Sequence, residues 1–114
     1  MQVQINSPQT QLPDALRAFI DSSTSDRLGH HSEMLTRVEV HLSDTNANKG
    51  GVDKRCLMEA RPRGMDPLVA EHSATEFKDA FKGALDKLHR VLEKRFGKLS
   101  ARERGAAEKP ADLS

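Results

Sequence analysis

Apolar residues recur at three- and four-residue steps near the end of the chain: Phe77, Phe81, Ala84, Leu85, Leu88, Val91, Leu92 and Leu99. That period gathers them on one helix face, so residues 76–99 are predicted to form one long amphipathic helix. Upstream the period is two. Val3 and Ile5 alternate with polar residues in 1–6, and Val38, Val40 and Leu42 alternate with Arg37, Glu39 and His41 in 36–43. Cys56, Met58 and Ala60 share a face in 54–61, and residues 68–73 continue the pattern. These four stretches are predicted strands with one buried side.

The segments between them carry their own signals. Pro13 suits the first position of a helix and Asp14 its first turn, and Leu16, Phe19 and Ile20 form the apolar face of that helix. Its second half, Asp21-Ser22-Ser23-Thr24-Ser25-Asp26, is poor helix material, so a soft helix ending near Gly29 is predicted. Residues 44–53 read as a polar connection. Pro62 closes the third strand because it has no N–H to give to a ladder, and residues 62–66 read as a turn. Residues 100–114 cannot bury a core face and are predicted to be a disordered tail.

The resulting order is β-α-β-β-β-α. The last three strands have no helix between them, which predicts an antiparallel meander. An α+β domain over residues 1–99, with two helices packed on one face of a four-stranded sheet, buries every apolar face.

Charge adds a second pattern. On a helical projection Lys87, Arg90, Lys94 and Lys98 fall on one flank of the last helix, and Asp79, Asp86 and Glu93 fall on the outer side. Cations set apart from acids suit a polyanion, and Gly83, one turn before Lys87, leaves room for its backbone. Charged flanks also simply keep helices soluble. The whole chain of 114 residues carries a formal charge of +1, but residues 76–104 hold nine Lys/Arg against five Asp/Glu. Attraction to an anion must therefore come mainly from the last helix. Lys82 on the same helix, Arg27 at the end of the first helix and Lys54 at the start of the third strand complete the candidate nucleic-acid contacts. Lys54, Arg55, Arg61 and Arg63 also read as charges that protect strand edges from pairing.

Composition narrows the function classes. Four phenylalanines are the only Phe, Trp or Tyr residues, which argues against single-strand binding by successive base stacking. Cys56 is the one cysteine, which rules out an intrachain disulfide and reads as a buried structural thiol. No apolar run approaches a membrane span, and the first residues carry neither a cationic start nor a hydrophobic signal segment; a cytosolic protein is expected. His30-His31 reads as a polar loop rather than a metal site, because neighbouring residues point apart and no Cys or carboxylate sits at ligand spacing. His41 and His72 read as solvated residues that could face each other across strands. Without a Gly-rich phosphate loop, a placed base for Cys56 or paired carboxylates, no catalytic centre, cofactor or small-molecule substrate is expected.

Several local motifs resemble the ribosome hibernation-promoting factor family, whose members are also called ribosome-associated inhibitors or sigma modulation proteins. Asp86-Lys87-Leu88-His89-Arg90-Val91-Leu92-Glu93-Lys94 is similar to the family's final-helix pattern, and Ala15-Leu16-Arg17-Ala18-Phe19-Ile20 to its first-helix segment. The runs from Thr36 to Asp44 and from Asp53 to Arg61 resemble a short proteobacterial subgroup. The resemblance implies a fold like that of double-stranded-RNA-binding domains and a bacterial, cytoplasmic stress-response protein. It implies binding to 16S rRNA of the small ribosomal subunit, in the channel for mRNA and tRNA, with translation blocked and idle ribosomes stored. Lys87, Arg90 and Lys94 match the family's cationic surface by position. The family's lysines in the second half of helix one are absent, replaced by the Asp21 to Asp26 run. The tyrosine that opens its last helix is replaced within Glu76-Phe77-Lys78. The C-terminal dimerising domain of long members has no counterpart in residues 100–114. A module of the same fold that binds protein partners and has lost most ribosome affinity is the second expectation.

Overall fold

A computed structural model describes residues 1–8, 11–44 and 53–97 of the chain. Lys98 and Leu99, the tail 100–114, and residues 45–52 of the polar connection lie outside the described residues.

Strands β1 (Gln2–Asn6), β2 (Leu35–Asp44), β3 (Lys54–Pro62) and β4 (Leu68–Ala74) lie side by side in chain order in one sheet. β1 runs parallel to β2, with Val3 opposite Val38 and Ile5 opposite Val40; β2–β3 and β3–β4 are antiparallel, as the meander requires. Helix α1 (Asp14–Leu28) is the crossover that a parallel β1–β2 pair needs. Helix α2 (Phe77–Leu92) follows β4. The α+β fold and its β-α-β-β-β-α order are thus as the hydrophobic periods predict.

One face of the sheet carries Val38, Val40, Leu42, Cys56, Met58 and Ala60, all buried beneath the helices. α2 covers it with Phe81, Ala84, Leu85, Leu88 and Leu92. α1 adds Ile20, Thr24 and Leu28, a row at four-residue steps. The Ser/Asp-rich second half is therefore still helical. Its one inward polar residue, Thr24, is fully buried, and its Oγ1 finds no hydrogen-bond partner among the described residues. Burial alone pushes the Cys56 thiol up to about 12, which fits a packing role rather than a nucleophile.

The opposite face is polar. Arg37, Glu39 and His41 alternate with the core residues of β2, and Glu39 lies between Arg37 (2.8 Å) and Arg61 (3.3 Å). His41 donates or accepts within this network, 3.1 Å from Glu39. It does not face His72. β3 separates their strands, and His72 pairs with core residue Cys56 on the helix side of the sheet. The alternation parity of β2 and β4, read against β3, puts the two imidazoles on opposite faces.

The last helix also departs from the expected single α-helix to residue 99. After Leu92 it widens into a π-helical turn, Glu93–Gly97. Wider i→i+5 bonding delays the inward slot by about one residue. Phe96 takes that slot and is buried, and Arg95, which the α-period would have turned inward, stays exposed.

Candidate nucleic-acid interface

The outer side of α2 carries the sequence-derived cations. Lys82, Lys87, Arg90 and Lys94 are all exposed, as is Arg95 in the π-turn. Lys82, Lys94 and Arg95 make no ion pair among the described residues, so their charges are available to an external anion. Lys87 leans toward the sheet edge, where its Nζ donates to the Glu71 carbonyl oxygen of β4 at 3.1 Å. From Lys87 to Lys94 the helix advances about 10 Å at 1.5 Å per residue, enough to meet successive phosphates of folded RNA.

Asp86 alters the expected separation of charges. Its Oδ1 accepts from Arg27 Nη2 of α1 at 3.2 Å, and its Oδ2 accepts from Arg90 Nη2 one turn on. Arg27 and Arg90 are thereby joined across the groove between the helices by an acid that the helical projection sets apart from the cations. An exposed pair of this kind contributes at most about 1 kcal/mol, so an incoming phosphate can compete for either guanidinium. The groove is lined by Phe19, Phe81, Asp26, Arg27, Lys82 and Asp86. Asp21 and Asp26 are exposed on α1, so the positive surface belongs to α2 and is not continued across α1.

Lys54 lies apart from this surface. It sits at the base of the β2–β3 connection, 3.1 Å from Asp44 and 3.2 Å from Asp53, with its Nζ 5.6 Å from the Phe77 ring centre. The hydrogen bond to Asp44 leads the causes that raise its pKa, against the pull of desolvation. Phe77 opens α2 and Lys94 follows its end, so Lys54 and the far cations occupy opposite ends of the helix. Lys98 lies outside the described residues.

Gly83 has a different use from the one its place beside Lys87 suggests. A Cβ there would stand 2.2 Å from His72 Cδ2 and 2.4 Å from Cγ. The missing side chain makes room for an imidazole of the protein's own edge strand, not for an RNA backbone. Gly83→Ala is therefore expected to cost about 1–2 kcal/mol, the overlap outweighing the helix-propensity gain of about 1 kcal/mol. In denaturant unfolding, Gly83→Ala introduced on a His72→Ala background should instead stabilise. Equal destabilisation on both backgrounds would show that His72 does not occupy the space.

The histidines that read as a loop in the sequence form part of a cluster. Gly29–His31 is a short 3-10 turn after α1, and it docks against the last turn of α2. His30 Nε2 lies 2.5 Å, His31 Nε2 3.0 Å and His89 Nε2 3.5 Å from Glu93 Oε2. The carboxylate missing at local ligand spacing is thus supplied from more than sixty residues away. The His30 hydrogen bond, followed by that from His31, holds the Glu93 carboxyl below its ordinary value despite opposing desolvation. Burial first, and then neighbouring His30, lowers the pKa of His31, whose ring packs 5.6 Å from Phe96.

A sheet with one helix-covered face and a cation-bearing final helix defines a small α+β domain built to present α2. The chain belongs to the sigma 54 modulation protein / S30EA ribosomal protein family, which it matches over residues 3–100. No curated protein matches it. Among solved structures it is similar to a ribosomal subunit interface protein from Coxiella burnetii, with 16% identity and a TM-score of 0.66 over 85% of this chain and 99% of that one. It is also similar to the Protein Y N-terminal domain of Thermus thermophilus, with 18% identity and a TM-score of 0.65 over 82% of this chain and 98% of that one. At these identities the likeness establishes the shared fold. No helix among the described residues is long and apolar enough to cross a membrane.

Proposed function

We propose that the protein is a non-enzymatic, ribosome-associated translation inhibitor of the bacterial cytoplasm, which binds 16S rRNA in the mRNA and tRNA channel of the small subunit. The observation that carries this reading is the exposed row Lys87 and Arg90 on α2 and Lys94 and Arg95 in the π-turn after it, with Lys82 toward the groove, in a member of this family. The similar Coxiella protein is described as a ribosomal subunit interface protein, which supports the same partner. Positive side chains on a rigid helix recognise the phosphate array and shape of folded rRNA with little reading of bases. Occupation of the channel would exclude mRNA and tRNA, so initiation would stop without chemistry. Sedimentation with purified small subunits tests the reading: saturable binding that mRNA and tRNA compete away is the expected result.

A specific observation favours the second reading, a module of the same fold turned to protein partners. Asp21 and Asp26 leave α1 without the cationic row that would extend the α2 surface. Failure to sediment with subunits even at low salt would select it.

A further inference from the structure

We propose that His30, His89 and Glu93 form a binding site for a divalent transition-metal ion of the zinc(II) type, at the junction between the end of α1 and the end of α2. One ring nitrogen each of His30 and His89 and a Glu93 carboxylate oxygen lie within 4.8 Å of one another. The ion would take the place of the direct contacts to Glu93: the His30 pair, at 2.5 Å, opens slightly, and the wider separations close to the spacing that Zn²⁺ needs. Zinc takes imidazole nitrogen at about 2.0–2.1 Å and carboxylate oxygen at about 2.0–2.2 Å, so its tetrahedral ligands stand a little over 3 Å apart.

Three features make the cluster more than a chance meeting of surface residues. His89 and Glu93 are four residues apart, a spacing that puts both side chains on one side of a helix turn. His30 comes from a separate element, and its Nε2 reaches Glu93 Oε2 at 2.5 Å. His31, buried against Phe96, also contacts Glu93 Oε2 at 3.0 Å and so holds the carboxylate from the protein side. Two nitrogens and one oxygen favour zinc, nickel, cobalt or copper over magnesium and calcium, which prefer all-oxygen shells. His30 and Glu93 are about half exposed, at 56% and 44% of their side-chain surface. Water therefore has access to complete the coordination. A bound ion cross-links two elements some sixty residues apart in sequence and reverses the local charge of Glu93 beside Lys94 and Arg95.

The test is isothermal titration of the full chain with ZnCl₂ at pH 7.5, after chelator treatment, with MgCl₂ as the contrast. One zinc per chain with a micromolar or lower Kd, no magnesium binding, and a rise in Tm of about 10 °C at a hundredfold excess over Kd are expected. His89→Ala and His30→Gln should each weaken zinc binding at least tenfold, and His41→Ala and His72→Ala should leave it unchanged. The exposed His30→Gln variant keeps the test valid should His89→Ala fail to fold. No saturable binding, or binding that survives both His30→Gln and His89→Ala, overturns the proposal.

Discussion

Replacing Lys87, Arg90 and Lys94 together by alanine is expected to weaken binding to small ribosomal subunits about a hundredfold while leaving the fold in place. All three side chains are exposed and none contributes to the apolar face of α2. Within the protein the substitutions remove the Arg90–Asp86 surface pair and the Lys87 bond to the Glu71 carbonyl, each of small worth. Against rRNA the same side chains would each neutralise a phosphate. At about 1 kcal/mol per phosphate the summed loss is about two decades in Kd. The logarithmic salt dependence of binding should become shallower by about three, one for each cation removed. Binding isotherms of the variant and parent at several salt concentrations read both quantities, with circular dichroism as the check on folding. Unchanged affinity and slope would move the interface off α2. Restoring charge with lysine at residue 90 alone should recover about one of those three units of slope and a smaller share of the affinity, because lysine cannot reproduce the guanidinium fork.

The largest expected loss of stability comes from Phe81→Ala. Phe81 is fully buried in the middle of α2, and its ring meets Phe19 of α1 edge-on at 5.9 Å between centres and 79° between planes. It is thus the side chain through which both helices share one core. Truncation removes its transfer free energy and leaves a cavity that the flanking helix cannot close, at a cost of about 3–5 kcal/mol. For a domain of this size that corresponds to a fall in Tm of about 20 °C. A natural domain holds only about 5–15 kcal/mol in total, so this variant should sit near the edge of folding at body temperature. Denaturant titration measures the change; a loss below about 1 kcal/mol would show that the aromatic contact does not join the helices.

The strands and both helices are legible in the sequence because their apolar periods are unbroken where they face the sheet. Val38-Val40-Leu42 and Cys56-Met58-Ala60 alternate cleanly, and one parity error would have exposed them all. The exposed positions of Lys82, Lys87, Arg90 and Lys94 follow from the same projection of α2. What the sequence hides depends on geometry that a fixed period does not carry. The π-turn changes the period at Glu93, which conceals Phe96 as a core residue and Arg95 as a surface cation. The Asp86–Arg90 pair, four residues apart, is within reach of a one-helix reading, but the bond from Asp86 to Arg27 of the neighbouring helix is not. The space beside Gly83 looks like an open approach, since nothing local to it announces His72 eleven residues earlier on the edge strand. The His30, His31, His89 and Glu93 cluster joins two distant segments, and only the docking of the turn after α1 against α2 brings its donors together. The pair His89 and Glu93, four apart on a charged helix, is the one local signal of it.

The most direct measurement is sedimentation of the purified protein with small ribosomal subunits at about 50 and about 200 mM salt. Four phosphate contacts from α2 predict saturable binding at the lower salt and an affinity about a hundredfold weaker at the higher. Absence of binding at about 50 mM, or binding indifferent to salt, would contradict recognition of rRNA by the cationic face of α2.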